Sequence, residues 1–290
     1  MKEIFPLELI PEIKKAPENF RLLRQLPENF DGCEFRSGSG DNRSEMSVVF
    51  LDLETTGLNP ASDKAIQLAM IKTICDAETG RILRVADYCE MLEDPGRKLP
   101  PEIRSLTGIS DSDLKGQSFD YGRVSRILSG GPLVVAHNAS FDRTFFDKRF
   151  PKLARLSWGC TLKDPNWRNA GFQARSLEQL LLKSGFFFTG HNALTDARAT
   201  VWLMHLHPER MLELLSIADA GIASVDALGS PFDSKDLLKQ RGYRWNAKNR
   251  YWSKEVAANQ INEEKAFLDG LYGGGNKARI KHVPASARFR

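Results

Sequence analysis

The chain has no apolar run near the roughly 20 residues that a membrane-spanning helix requires. Pro6, Glu8, Pro11 and Glu12 stand where a secretory leader would carry its apolar core, so the expectation is a cytoplasmic protein. Cysteine is scarce. Cys33, Cys75, Cys89 and Cys160 are far apart and form no Cys-x-x-Cys pair. That spacing excludes a disulfide framework and a thiolate zinc site, and it fits a reducing compartment. What remains is 41% hydrophobic and 27% charged, the balance of a soluble globular protein. A length of 290 residues allows one large domain and a smaller one.

Charge is unevenly placed. The net value is +4, yet residues 231–290 hold 13 basic and 6 acidic side chains, leaving 28 basic and 31 acidic for residues 1–230. A basic segment on a mildly acidic body fits a polyanionic partner as well as it fits a solvated surface. The organisation read from the pattern is an N-terminal extension over 1–45, a main domain over 46–218, a linker over 219–230, a small basic aromatic module over 231–272 and a flexible basic tail over 273–290. A short helix is expected over 20–26 and a Gly/Ser-rich linker over 37–43. Within the main domain, strands are expected over 48–54, 65–74, 82–91, 132–136 and 157–162. Helices are expected over 118–128, 141–150, 195–205 and 211–218, with Ser176 and Gln179 at capping-box spacing. Three successive strands followed by strand–helix alternation imply an α/β mixed sheet with helices on its faces.

Residues 48–57 read Val-Val-Phe-Leu-Asp-Leu-Glu-Thr-Thr-Gly. An apolar run bounded by Gly57 and Pro60 reads as a buried strand. Side chains two apart on a strand share a face, so Asp52 and Glu54 stand side by side at its end. Buried carboxylates are costly unless paired or bound to metal. Oxygen-rich clusters suit hard divalent cations such as Mg²⁺. Two further segments carry the same residue types: residues 137–142, His-Asn-Ala-Ser-Phe-Asp, and residues 191–196, His-Asn-Ala-Leu-Thr-Asp. Taken singly, Asp142 and Asp196 read as helix caps, and His205, His207 and His282 as surface or core residues.

Together and in this order, these segments resemble the three motifs of the DnaQ-like (DEDDh) 3′–5′ exonucleases, with similarity to the proofreading (epsilon) subunit of bacterial replicative polymerases. The resemblance runs from about residue 48 to 206 and includes Leu106, Thr107, Gly108 and Ile109. It implies an RNase H-like five-stranded fold. It also implies two divalent cations, Mg²⁺ or Mn²⁺, held by Asp52, Glu54, Asp142 and Asp196, with His191 as the base and His137 as its rival or, more readily, its hydrogen-bonding support. By resemblance, Thr55, Thr56, Gly57 and Leu58 meet the terminal nucleotide, and Asn138 and Phe141 the next one. The implied activity is release of nucleoside 5′-monophosphates from the 3′ end of single-stranded DNA, in repair, proofreading or processing, with a polymerase or repair partner. An RNA-trimming enzyme is the alternative. A non-catalytic nucleic-acid-binding protein is the second alternative, and it would have lost at least one of the five residues; all are present. The departure from the family lies at residues 158–161, Trp-Gly-Cys-Thr, where many relatives carry Asp-Thr.

In the small module, basic and aromatic residues interleave over 241–252. Arg244, Lys248 and Arg250 are read as phosphate contacts. Tyr243, Trp245, Tyr251 and Trp252 are read as stacking platforms or as the bulky core that so small a unit needs, with the core reading favoured for Trp245 and Trp252.

Overall fold

The computed structural model describes residues 7–30, 44–272 and 277–290, apart from the side chain of Asn259. The expected linker over 37–43, Cys33 and the three glycines at 273–275 lie outside the described residues. A short helix α1 (Ile10–Lys15) and a two-residue strand β1 (Arg24–Gln25) come first. The helix expected over 20–26 does not form. Leu26 is buried in the main core, and the Arg24 and Leu26 amides donate to the Gly185 and Phe187 carbonyls, which holds this stretch extended.

The main domain is a meander of β2 (Glu45–Thr55), β3 (Ala65–Asp76) and β4 (Ile82–Leu92). Helices α2 (Pro101–Thr107), α3 (Asp111–Leu114) and α4 (Tyr121–Ile127) follow. Then come β5 (Leu133–Ala136), α5 (Ala139–Arg149), β6 (Trp158–Cys160), α6 (Leu177–Lys183), β7 (Phe186–Phe187), α7 (Ala193–Leu206) and α8 (Pro208–Ala220). The sheet order is β4-β3-β2-β5-β6, with β2 antiparallel to β3 and parallel to β5. This is the mixed, helix-flanked, RNase H-like sheet.

Strand β2 is buried on both faces, and its alternation divides the domain. Val48 and Phe50 pack with Ala197, Val201 and Met204 of α7, whereas Val49, Leu51 and Leu53 pack with Phe145 and Phe146 of α5. Each large side chain so buried contributes roughly 1.5–3 kcal/mol. A one-residue slip would exchange the two faces, so the core fixes the register. It thereby also fixes the side on which Asp52 and Glu54 emerge. Gly159 in β6 lets α8 pack closely, since a Cβ there would lie 2.9 Å from the Leu214 side chain.

The second sheet contains β8 (Ile222–Ala227), β9 (Arg244–Asn246), β10 (Tyr251–Ala257) and β11 (Ala278–Val283), in the order β11-β8-β10-β9 and all antiparallel. Helices α9 (Lys235–Gln240) and α10 (Ile261–Tyr272) accompany it. Two expectations are corrected here. The stretch 219–230 is not a linker but supplies an inner strand: its glycines, Gly221 and Gly229, only bracket it, and Ala223, Val225 and Ala227 between them are fully buried. The stretch after 277 is not a free tail, because β11 pairs residue by residue with β8 and Ile280 packs on the module core. A third correction concerns Trp245, which is 51% exposed and is no core anchor. Tyr243 takes that role, with its hydroxyl donating to the buried Glu264 at 3.1 Å. Among the described residues, no helix is long and apolar enough to cross a membrane.

Candidate active site

The site forms where the strand directions place it. Strand β2 ends in a bulge between Glu54 and Thr55, a device common beside active sites. Asp52 and Glu54 continue the face of Val48 and Phe50 and therefore point toward α7. Asp196 lies in the first turn of α7, whose N-cap Asn192 accepts from the Thr195 amide at 3.0 Å. Asp52, Glu54 and Asp196 each offer an oxygen, and these oxygens lie within 4.8 Å of one another. Strand β5 runs parallel beside β2, so α5 starts at the same sheet edge and brings Asp142 there in its first turn. Neither aspartate is the cap itself. Asn138 and Asn192 hold the N-cap positions, and the helices begin two residues earlier than the pattern indicated.

The electrostatics are those of unpaired acids. Burial raises the Asp52 carboxyl well above its usual range, and the charges of Asp142, Asp196 and Glu54 raise it further. Burial, then Asp196, pushes Glu54 up to about 7. Burial carries Asp196 up to about 6, although the His191 amide, donating to its carboxylate at 2.7 Å, acts in the opposite direction. Asp142 is also raised by burial, with its own amide and that of Leu53 offsetting part of the effect. The charge of His191 also lowers Asp196, but no lysine or arginine is among the causes of these shifts. An all-oxygen, mutually repelling donor set of this kind fits a hard divalent cation.

Sequence reasoning missed the residue that locks α7 against the sheet. Gln67 lies opposite Glu54 on β3 and is buried. Its carbonyl oxygen accepts from the Ala193 amide at 3.0 Å, and its amide group donates to Glu90 at 2.7 Å. The one available signal was a polar residue inside the apolar run of residues 65–71.

The two histidines differ. His191 is exposed, with φ 67°, a left-handed backbone rare for this residue type. His137 is engaged through both ring nitrogens, with the Thr161 hydroxyl at 2.8 Å and the Arg175 carbonyl at 3.0 Å. Burial lowers its imidazole to about 4. Thr161, part of the departing segment 158–161, thus serves His137.

The turn after β2 is more self-contained than expected. Thr55 is buried and donates to the Gly57 carbonyl at 2.6 Å. Thr56 is buried, donates to Asp63 at 3.1 Å and accepts from Arg97 at 2.9 Å. The close approach at Gly57 is to Asp63, whose carboxylate would lie 2.6 Å from an added Cβ. Leu58 projects from this turn, 83% exposed. Asn138 is exposed with φ 80°, and Phe141 is half-buried against Phe145, with ring centroids 5.0 Å apart. Arg244, Lys248 and Arg250 are exposed on the β9–β10 hairpin of the second sheet, not on the carboxylate floor.

Comparisons with known proteins follow the same outline. The family model RNase T, described as an exonuclease, matches residues 49–204. A PolC-type DNA polymerase III of Staphylococcus aureus is 29% identical over 210 residues, covering 68% of this chain. The chain spans only 13% of the length of that relative. Exonuclease I of E. coli in complex with a dA16 oligonucleotide superimposes with a TM-score of 0.50 at 16% identity, over 79% of this chain and 68% of that one. A second Exonuclease I structure gives a TM-score of 0.50 at 17% identity, over 78% and 68%. At such identities the likeness is one of fold.

Proposed function

Because the chain belongs to this exonuclease family, we propose that it is a metal-dependent 3′–5′ exonuclease removing nucleoside 5′-monophosphates from the 3′ ends of single-stranded DNA. The observation that carries this reading is the convergence of Asp52, Glu54 and Asp196 within 4.8 Å, with Asp142 beside them, all four raised by burial and Asp52, Glu54 and Asp142 further by neighbouring acids. Asp52, Glu54, Asp142 and Asp196 would hold two divalent cations, Mg²⁺ or Mn²⁺. Bound there, these would supply an activated water and neutralise charge on the phosphate.

His191 takes the proton from the attacking water, a task suited to an exposed imidazole on the rim of the site. His137 cannot exchange protons freely while both its nitrogens are engaged, and it instead fixes the end of β5 beside Thr161. Leu58 supplies an apolar edge for the last base, and Asn138 and Phe141 border the next nucleotide. Thr55, Thr56 and Gly57 act through the shape of their turn. Arg244, Lys248 and Arg250 contact phosphates of the strand farther from its end. The setting is repair, proofreading or processing, with a polymerase or repair partner. The PolC-type relative supports the first of these partners.

End-labelled DNA and RNA strands, incubated with Mg²⁺, Mn²⁺ or EDTA, test the proposal. Shortening from the 3′ end with either metal and none with EDTA is the expected result. Activity in EDTA, or release from the 5′ end, would refute it, and preferential loss of RNA would move the substrate to the alternative.

A further inference from the structure

Arg143 directly follows Asp142 on α5 and is 0% exposed. A buried guanidinium is tolerated only when its charge and all its N–H groups are met. Arginine has five N–H donors, and here the fork is saturated. Its Nε donates to Asp147 at 3.2 Å, one turn along the helix, and one Nη2 bond reaches the Ala154 carbonyl at 3.0 Å. The other three bonds go to a single distant segment, residues 284–290: the carbonyls of Ala285 at 3.4 Å, Ser286 at 2.6 Å and Arg288 at 2.6 Å.

That segment is pinned independently. Arg288 makes a two-pronged ion pair with Asp164, the side chains being 5% and 2% exposed. The second Asp164 oxygen accepts from the Cys160 amide at 2.8 Å, at the end of β6. Phe289, with φ 65°, is folded back over Arg288 at 4.4 Å and packs against the α5 side of the core. Arg290 reaches Asp147 at 3.6 Å. Residues 284–290 continue directly from β11, so this stretch joins the second sheet to the helix that presents Asp142.

We propose that residues 284–290 are a strap that sets the position of α5, with Arg143 as the positioning residue for Asp142. Without the strap, Arg143 keeps one carboxylate and one carbonyl, and a buried cation so exposed to deficit must move. Asp142 moves with it, since the two are adjacent on the first turns of one helix. Displacement of about 1 Å in a catalytic constellation can cost about a hundredfold in rate. The inference rests on the role of Asp142 proposed above, but the contact itself does not.

The test uses the full chain with Arg288→Gln and, separately, Arg288→Lys. Two readouts are taken at a temperature where both are folded by circular dichroism: amide hydrogen exchange over residues 139–149, and kcat and KM on a single-stranded DNA oligonucleotide with Mg²⁺ titrated. Arg288→Gln should speed exchange in the first turns of α5 and lower kcat about tenfold with KM within about twofold, raising the Mg²⁺ needed for half-maximal rate. Arg288→Lys should recover most of both. Unchanged α5 exchange and kcat in Arg288→Gln would overturn the strap, and so would a rise in kcat. A loss confined to KM would overturn it equally, since that would make the segment a substrate contact. If the unaltered chain cleaves nothing, the functional reading fails, and the exchange data alone still decide whether the strap holds α5.

Discussion

At the edge of the first sheet, Asp52, Glu54 and Asp196 lie within 4.8 Å of one another. Beside the second sheet, on α10, Glu264 is as buried as Asp142, yet it lies between Lys254 at 2.5 Å and Arg241 at 3.2 Å and accepts from Tyr243. Asp226 is similarly met by Arg279 at 2.7 Å and by Ser253 at 2.7 Å. Burial alone would raise Glu264 and Asp226, but hydrogen bonds and cations together outweigh it and hold both below the usual range. The same residue type thus serves opposite ends. Acids that crowd one another without a lysine or arginine partner are costly until a cation arrives, as the proposed metal-dependent reaction requires. Acids that carry their own cations stabilise the fold and leave nothing to bind.

The sharpest way to break this contrast is to neutralise one acid in each region. Asp52→Asn should lower the cleavage rate about 10³-fold or more, since several kcal/mol of charge stabilisation are at stake. It should nevertheless leave the metal-free melting temperature unchanged or higher, because repulsion is removed. Asp142→Asn should behave alike, and His191→Ala should cost about 10²–10⁴-fold with the fold intact. Glu264→Gln should do the reverse. It should destabilise by about 2 kcal/mol, less than a fully buried pair because Lys254 and Arg241 are partly exposed, with cleavage per folded molecule little changed. Calorimetry paired with initial rates checks both. Equal destabilisation by Asp52→Asn and Glu264→Gln would remove the contrast.

Much of the first region is legible in sequence because its signals are local and periodic. The alternation in β2 predicts both core faces, and the same alternation predicts that Asp52 and Glu54 emerge together. The second region is harder to read because its determinants are distant. Nothing near residues 222–227 shows that they are an inner strand, since their partners are β10 and a strand more than fifty residues later. Trp245 looks like an anchor by size, yet the narrow module fills its core with Tyr243, Val225 and Leu268 instead. The exchange of Gln67 with the Ala193 amide spans 126 residues and leaves only a polar residue in an apolar strand as its trace. A truncation at residue 231, natural from the sequence alone, would strip β8 of both partners and Arg143 of three acceptors.

The two regions should also respond to pH with opposite sign. Glu54, raised from 4.5 to about 7, and Asp196, raised from 3.8 to about 6, bind protons more tightly folded than unfolded. Their stabilising contribution without metal is complete below about pH 4 and is lost as pH rises toward 7. Glu264 and Asp226 are lowered, so their contribution is present above the unfolded values near 4 and is lost as pH falls through the folded ones. In EDTA the melting temperature should therefore fall modestly between pH 5 and 7.5, and Mg²⁺ should restore more at pH 7.5 than at pH 5. A metal-free melting temperature that rises steadily across that range would mean that the clustered acids are already paired.

The smallest expected effect concerns the exposed cations of the second region. Arg244, Lys248 and Arg250 lie on a hairpin whose Trp245 and Trp252 rings are 5.6 Å apart. None is an ion-pair partner of Glu264 or Asp226, whose cations are Lys254, Arg241 and Arg279. The module therefore separates cations that hold it together from cations that face solvent. If the exposed set meets phosphate, Lys248→Ala should flatten the slope of log binding constant against log salt by about 0.7 for a single strand. It should do so without altering melting temperature or the rate at saturating substrate. Arg241→Ala, at the C-terminal cap of α9, should lower stability with little change in that slope. Fluorescence anisotropy with a labelled oligonucleotide across a salt series measures the difference. Identical slopes for Lys248→Ala and the unaltered chain would reassign the hairpin to a protein partner and confine nucleic-acid contact to the first region.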